Sequence, residues 1–176
     1  MESIYLGGGC FWCTEAVFKI VRGVEKVTPG YIGGKTKNPT YKEVCAGNSG
    51  HAEVIECIFD EKIINLNEIL EIFFATHDPT QLNRQGNDIG THYRSSVFCI
   101  NNKQKEFVED FIKKINHLYD NKIVTEVSLN NAFFCAEDYH LDYYSKNHHA
   151  GYCQVIIKPK LLKFSQKFQN KLITDS

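Results

Sequence analysis

The sequence lacks several features that would assign it to a common class of protein. Its net charge is only −1, from 20 basic and 21 acidic residues, so neither a nucleic-acid-binding surface nor an acidic tail is indicated. No apolar run approaches the length of a membrane-spanning helix, and the first residues lack a basic segment followed by a long apolar core. We therefore expect no membrane contact, no nucleic-acid partner and no signal peptide.

The cysteines lack the regular spacing of a disulfide framework. There are seven of them, and an odd number without a pattern argues against a secreted, disulfide-stabilised scaffold. We expect a cytoplasmic protein whose thiols are normally reduced. With 176 residues and no internal repeats, the chain is long enough for one well-filled core, and we expect a single domain over 1–176.

The pattern of apolar residues predicts alternating strands and helices. A capping-box sequence at Asn65–Glu68 predicts the start of one helix. Apolar residues on both faces of 51–60 predict a strand in the middle of a sheet. The order of elements predicts an α+β protein, a two-layer α/β sandwich with a ferredoxin-like mixed sheet and long loops. Strands are predicted over 3–7, 24–31, 51–60, 96–100 and 123–129, and further helices over 10–21, 103–119, 138–146 and from 158 onwards.

A glycine-rich junction near the start of the chain predicts a reactive cysteine. Gly7–Gly9 end the first strand, and the first helix is predicted to begin at Cys10. The backbone N–H groups and the positive dipole end of a helix stabilise a thiolate there, which would make Cys10 a nucleophile. Cys10 could equally be a small buried hydrophobe. The neighbouring rings of Phe11 and Trp12 favour a substrate with a small apolar group next to its reacting atom.

Glu53 is the second candidate for chemistry. Residues of the same parity on its strand are Ile55, Cys57 and Phe59, so its carboxyl group projects from an apolar face. A carboxyl group kept protonated by an apolar environment would be a useful general acid. The alternative is that Glu53 lies at the exposed start of the strand and has no role.

A long polar loop over 77–95 is the third feature. Loops of this length inside a compact domain are usually functional or disordered. This one carries Asp88, His92 and Tyr93 among other polar residues suited to lining a pocket. The hydroxyl groups of Tyr93 and of Tyr41, which lies in another turn-rich segment, could donate hydrogen bonds to a developing oxyanion, or either tyrosine could simply cap a core.

Two other functions are alternatives to catalysis in which Cys10 is the single nucleophile. One is a small zinc-binding module, with ligands drawn from Cys10, Cys13, His148, His149 and Cys153, although the usual second pair of ligands is missing. The other is a thiol–disulfide oxidoreductase that uses Cys10 and Cys13 as a dithiol, although the intervening Phe-Trp pair is bulky for that role and the polar loop would have no purpose.

Several motifs, in order along the chain, resemble those of the peptide methionine sulfoxide reductase A (MsrA) family. The similarity extends from about Ile4 to Cys153, and the combination is highly specific. The matching segments are Gly-Cys-Phe-Trp at 9–12, Gly-Tyr-Ile-Gly-Gly at 30–34, Pro-Thr-Tyr at 39–41, Glu-Val-Cys at 43–45, Gly-His-Ala-Glu at 50–53 and the loop at 77–95.

The resemblance implies a reaction and a role for each candidate. Cys10 would attack the sulfur of methionine (S)-sulfoxide, giving methionine and a Cys10 sulfenic acid. Glu53 would protonate the oxygen, and Tyr41 and Tyr93 would hydrogen-bond to it. Phe11 and Trp12 would form the walls that hold the methyl group of the substrate. Asp88 would be an acidic group of the site, and His92, beside Tyr93, would be part of the pocket.

The family implies partners as well. Its members act on oxidised proteins or on free methionine sulfoxide, repair oxidative damage, need no metal or organic cofactor and draw electrons from thioredoxin. We expect a monomer. Cys153 matches the first recycling cysteine of the family, in a stretch that looks polar and flexible. Cys13 competes for that role, and the glycine-rich cysteine tail of many members is replaced by a lysine-rich segment.

Overall fold

A computed structural model describes residues 1–129 and 132–174 and contains a six-stranded sheet. The strands are β1 (Glu2–Gly8), β2 (Val24–Ile32), β3 (Ala52–Phe59), β4 (Arg84–Gln85), β5 (Asp88–Ile89), β6 (Ser95–Cys99), β7 (Glu126–Leu129) and β8 (Phe134–Cys135). The helices are α1 (Phe11–Phe18), α2 (Tyr41–Cys45), α3 (Leu66–Ala75), α4 (Asn102–Ile115), α5 (Tyr143–Lys146) and α6 (Lys158–Lys167).

The sheet order is β7-β6-β1-β3-β2-β8, and β4 pairs with β5 in a separate ribbon. All neighbours in the large sheet are antiparallel except β6 and β7, so the sheet is mixed, as predicted. β3 is hydrogen-bonded to β1 on one side and to β2 on the other, which confirms its predicted central position.

The helices cover one face of the sheet, which gives two layers. Buried side chains of α1, α3, α4 and α6 join Ile4, Leu6 and Ile55 of the sheet in one large apolar cluster. The opposite face carries a smaller cluster that includes Tyr5 and Val54. This arrangement follows from the period-two alternation of side chains along each strand. It confirms the predicted fold class.

The predicted element boundaries hold in the first half of the chain better than in the second. The capping box at Asn65 and Glu68 forms, with both reciprocal hydrogen bonds at 2.9 Å. The helix predicted over 10–21 begins at Phe11 and ends at Phe18. The helix predicted over 138–146 is wrong, because a 3₁₀ turn at Asp138–His140 is separated from α5 by Asp142, whose φ is +55°.

The C-terminal helical path starts earlier than predicted. A π-helical turn at Cys153–Ile157 leads directly into α6, which ends at Lys167. Leu172, predicted on the helix, forms an isolated β-bridge with Val21 instead. Within 1–129 and 132–174, no helix has the length and hydropathy required to cross a membrane.

Candidate active site

Cys10 lies at the junction between β1 and α1. Gly9 has a φ of +97°, which turns the chain out of the strand, and a Cβ there would meet the side chain of Gln85. Cys10 itself is extended and is the N-cap of α1, so it lies at the positive end of the helix. Its side chain is buried, at 5% exposure.

Glu53 is buried beside this junction, at 1% exposure, so the alternative that it lies at an exposed strand end is wrong. Its Oε1 accepts a hydrogen bond of 3.3 Å from the backbone N–H of Phe11, whereas its buried Oε2 has no hydrogen-bond partner in the described structure. Burial raises the pKa of Glu53 to about 8, against the opposing effect of the Phe11 N–H. The carboxyl group is therefore protonated at neutral pH and can donate a proton.

Tyr41 and Tyr93 direct their hydroxyl groups toward the same region. The pKa of each is raised first by burial and next by the charge of Glu53, and the charge of Cys10 also acts on Tyr93. Both phenols consequently stay protonated and can serve as hydrogen-bond donors. The structure thus brings Cys10, Glu53 and the two tyrosines together, as the sequence predicts.

Trp12 forms a half-buried aromatic wall next to Cys10. Its Nε1 donates a hydrogen bond of 3.0 Å to Nδ1 of His140, and its ring stacks on Tyr143 at 3.7 Å with an interplanar angle of 6°. Phe11 is almost fully buried and stacks on Tyr41 at 6.4 Å. Trp12 is therefore the ring that is partly open to solvent, whereas Phe11 supports the wall from the core.

Three cysteines share a small apolar cluster. Cys10, Cys13 and Cys153 pack with Ala16 and Ile157, and the thiols of Cys10 and Cys13 share a hydrogen bond. Cys153 is fully buried within the π-helical turn. Cys153 itself is held against α1 by helix formation and by the burial of Ile157, whereas the flexibility expected of the polar stretch before it stays a prediction.

The shared hydrogen bond has opposite effects on the two thiols. Burial, followed by the hydrogen bond to Cys13 and the charge of Glu53, raises the pKa of Cys10 well above its usual value. The hydrogen bond from Cys10 lowers the pKa of Cys13 to about 7, and Lys160 and Tyr152 lower it further against the effect of burial. In the free protein, burial and the hydrogen bond to Cys13 therefore oppose the stabilising effect of the helix start on a Cys10 thiolate.

Asp88 joins the polar loop to the C-terminal segment. Its Oδ2 accepts a hydrogen bond of 2.6 Å from the Tyr152 hydroxyl, whose oxygen lies 3.6 Å from the sulfur of Cys13. Cys10, Cys13, Asp88 and Tyr152 line a cavity of about 470 Å³ together with Lys160. Asp88 thus lies on the Cys13 side of Cys10.

His92 lies on the Glu53 side of Cys10. It is buried, its ring centroid lies 3.9 Å from that of Tyr93, and its Nδ1 has no hydrogen-bond partner in the described structure. A ring nitrogen of His92, the sulfur of Cys45 and a carboxylate oxygen of Glu53 lie within 4.8 Å of one another. Within residues 1–129 and 132–174, this is the one group of three possible metal ligands that lie close together. The zinc ligands suggested by the sequence, which include Cys10 and Cys13, do not form such a group.

Four residues of the site are absent from the sequence-based prediction. His140 and Tyr143 hold Trp12, Tyr152 connects Asp88 with Cys13, and Glu137 accepts hydrogen bonds from the Tyr31 hydroxyl at 2.9 Å and the Tyr41 N–H at 3.0 Å. The dense aromatic and acidic residues over 137–152 are the available signal. A single helix, as predicted over 138–146, would not place these residues in the separate contacts that they make in the structure.

Comparisons with known proteins agree on one family. A family model described as peptide methionine sulfoxide reductase matches residues 2–172. A peptide methionine sulfoxide reductase MsrA from a Nitratiruptor species is 53% identical over 171 residues, which cover 97% of this chain and 98% of the relative. The crystal structure of reduced Mxr1 from Saccharomyces cerevisiae has a TM-score of 0.83 at 33% identity, covering 86% of this chain and 88% of that one. Mxr1 in complex with Trx2 gives a TM-score of 0.59 at 23% identity, over 81% of this chain and 84% of that one.

Proposed function

We propose, for a chain that belongs to the peptide methionine sulfoxide reductase family, that Cys10 is the residue that attacks the sulfoxide sulfur. The substrate would be the S epimer of methionine sulfoxide, in oxidised proteins or as the free amino acid. Each class of reductase acts on one epimer, so the stereochemistry is a sharp test. The function is the repair of oxidised proteins.

The observation that carries this proposal is the unpartnered Oε2 of Glu53. A buried carboxyl oxygen without a partner costs free energy unless a ligand completes its hydrogen bonds. With a pKa of about 8, Glu53 can donate its proton through this atom to a sulfoxide oxygen. The hydroxyl groups of Tyr41 and Tyr93 would donate to the same oxygen and make the sulfur more electrophilic.

Atoms and electrons balance in the proposed first step. The Cys10 sulfur gives up its thiol proton as it bonds to the sulfoxide sulfur, and Glu53 protonates the sulfoxide oxygen. The resulting hydroxyl group then moves to the Cys10 sulfur while its original S–O bond and the transient S–S bond both break. The products are methionine and a Cys10 sulfenic acid, so the sulfoxide is reduced and the cysteine oxidised. Glu53 is left as a carboxylate and takes up a proton from solvent before the next cycle.

Trp12 supports the proposed recognition of the methyl group. Its ring is fixed by the hydrogen bond to His140 and by stacking on Tyr143. A fixed, half-buried indole next to a nucleophilic sulfur offers an apolar surface for a small group at a low entropic cost. Phe11 and His92 would shape the same pocket indirectly, since the ring of Phe11 packs on Tyr41 and the ring of His92 packs on Tyr93.

An internal cysteine would then resolve the sulfenic acid. The sequence position favours Cys153, whereas the hydrogen bond between Cys10 and Cys13 favours Cys13. A disulfide between residues three apart within a helix must meet strict torsional limits, but Cys10 is the extended N-cap and not part of the helix, which relaxes those limits. We propose that Cys13 forms the first disulfide and that Cys153, buried in the same cluster, is the second thiol in reach.

Thioredoxin is the proposed reductant of the resulting disulfide. Support comes from Mxr1, which has been solved in complex with Trx2. We also propose that the protein acts as a monomer, since one chain supplies all the residues named above. A cytoplasmic location is proposed because its seven cysteines are all free, which suits a reducing compartment.

The Cys10–Cys13 pair alone would also fit a thiol–disulfide oxidoreductase. Reduction of a sulfoxide needs an acid that protonates the oxygen, and the unpartnered oxygen of Glu53 fits that need, so the two functions are expected to separate at this residue. We expect Glu53→Gln to lose sulfoxide reduction while its dithiol still reduces a small disulfide. An equal loss of both activities would contradict the proposed division of roles.

The experiment that tests the proposed function is a single turnover without reductant. Purified protein given the S epimer of a methionine sulfoxide peptide should form one equivalent of methionine, and the R epimer should give none. Mass spectrometry should then find a Cys10–Cys13 disulfide. Turnover of the R epimer at a similar rate, or a disulfide that leaves out Cys10, would contradict the proposal.

A further inference from the structure

The C-terminal helix places a lysine beside Cys13. Lys160 lies in the first turn of α6 and is half-buried. It lines the cavity that also contains Cys10 and Tyr152, and it lines a second, tighter cavity with Cys13 and His77. Lys163, one turn further along α6, lines a neighbouring groove and neither of these two cavities. Lys160 is thus positioned differently from Lys163.

The pKa of Cys13 is lowered to about 7 by two kinds of interaction. The first and largest is the hydrogen bond from the Cys10 thiol, and the next are the charge of Lys160 and the hydrogen bond of Tyr152. The first of these exists only while Cys10 is a thiol. Once the Cys10 sulfur has taken up an oxygen, that S–H donor is gone. At the moment when a resolving thiolate is needed, the charge of Lys160 and the hydrogen bond of Tyr152 remain, and Lys160 has the larger effect of the two.

Other groups that face Cys13 do not replace this charge. Asp88 and Glu53 are acidic, and the charge of Asp88 raises the pKa of Cys13. Cys153 is a neighbouring thiol within the same cluster. His77 stays neutral at physiological pH, because burial lowers its pKa to about 4.

We propose that Lys160 is a positioning residue for the resolution step, in which its ammonium group holds Cys13 as the thiolate that attacks the Cys10 sulfenic acid. The inference rests on the proposed function. In this step the Cys10–Cys13 S–S bond forms, the Cys10 S–O bond breaks, and the hydroxide leaves as water after taking a proton. The sulfoxide has already supplied the oxidising equivalent. This gives the lysine-rich C-terminal segment a role in recycling that the motifs shared with the family do not cover.

The test follows methionine and the disulfide separately in one turnover without reductant. Lys160→Met is compared with Lys160→Arg, which keeps the charge, and with Lys163→Met, a matched loss of charge on the same helix. Rapid acid quenching and mass spectrometry report both products at about pH 7 and about pH 9. Without thioredoxin in the reaction, any effect on partner docking is excluded.

We expect Lys160→Met to form methionine at the wild-type rate and the disulfide ~3- to 10-fold more slowly at about pH 7. The range reflects a smaller thiolate fraction, partly offset by the higher nucleophilicity of a more basic thiolate. The difference should shrink at about pH 9, where the Cys13 thiol of the variant also ionises. Lys160→Arg and Lys163→Met should resemble the wild type.

Three results would overturn the inference. One is disulfide formation at the wild-type rate and with the wild-type pH profile in Lys160→Met. Another is an equal slowing in Lys163→Met, which would indicate a general effect of charge. The third is a wild-type disulfide that joins Cys10 to Cys153. Failure of the wild type to form methionine would instead contradict the proposed function.

Discussion

The region around β1 and β3 and the C-terminal segment after residue 136 hold the site by different means. Glu53 lies opposite Tyr31 in the ladder between β2 and β3, and β3 is paired along both of its edges. The C-terminal segment is a series of short helical turns held in place by a few buried side chains, His140, Cys153, Ile157 and Phe164 among them. The sheet fixes Glu53 and the start of α1, which carries Cys10 and Cys13, and the docked segment supplies Lys160 and Cys153.

Because the two regions are held separately, the two half-reactions should be separable by mutation. Substitutions in the sheet region should affect the formation of methionine, whereas substitutions in the C-terminal segment should affect the formation of the disulfide. Two residues connect the two regions. Trp12 donates a hydrogen bond to His140, and the sulfur of Cys13 contacts the hydroxyl group of Tyr152.

Cys10→Ser should abolish the reduction of methionine sulfoxide. Serine is nearly isosteric with cysteine, so the fold and its thermal unfolding should be preserved, but an alcohol at this position cannot act as the thiolate nucleophile. The assay is methionine formation from the S epimer, with Cys135→Ser, an exposed cysteine, as the matched control. Measurable turnover by Cys10→Ser would show that another group is the nucleophile.

Glu53→Gln should slow methionine formation by ~10²- to 10⁴-fold, because glutamine can donate a hydrogen bond but cannot transfer a proton. In the wild type the single-turnover rate should fall as the pH rises through about 8, where Glu53 loses its proton. The variant should lack this falling limb. A rate within a factor of two of the wild type would remove Glu53 from the role of general acid.

Trp12→Ala should lower kcat/KM by about tenfold, mainly through a higher KM, since the apolar wall contributes binding of the methyl group. Trp12→Phe keeps a ring but loses the hydrogen bond to His140, and we expect a smaller effect. Steady-state kinetics with a methionine sulfoxide peptide measures both. A fall in kcat alone would indicate that Trp12 positions Cys10 and does not bind the substrate.

Phe164→Ala should weaken the docking of α6, because Phe164 is buried in the main apolar cluster. Loss of a buried phenylalanine costs ~3–5 kcal/mol in the free energy of unfolding, which chemical denaturation can measure. Disulfide formation should slow several-fold while methionine formation stays near the wild-type rate. Leu162→Ala, an exposed position on the same helix, is the control. Equal slowing of both steps would break the comparison between the two regions.

The first region can be predicted from the sequence and the second cannot. Alternating apolar residues along β3 are visible in the sequence, and so is the glycine turn before Cys10, because each depends on near neighbours in the chain. The hydrogen bond between Trp12 and His140 joins residues that are 128 positions apart, and no local sequence pattern indicates it. The burial of Cys153 escapes prediction for a similar reason, because the polar residues before it look flexible until α6 packs on α1.

The ionisation of the two thiols shows a further limit of sequence analysis. The position of Cys10 at a helix start makes it the candidate nucleophile. The pKa of Cys10 is raised by burial, by the hydrogen bond to Cys13 and by Glu53. The pKa of Cys13 is lowered by the hydrogen bond from Cys10 and then by Lys160, which comes from a distant part of the chain. A sequence motif places the sulfur, whereas the tertiary structure determines which sulfur carries the charge.

The fate of the sulfoxide oxygen decides whether Cys10 is the nucleophile. The variant with both Cys13→Ser and Cys153→Ser is given one equivalent of the S epimer carrying ¹⁸O, and the intact protein and its peptides are analysed by mass spectrometry. We predict one equivalent of methionine and one labelled oxygen on Cys10 as sulfenic acid. Methionine formation with the label on Cys45 or on any residue other than Cys10 would contradict the assignment of Cys10.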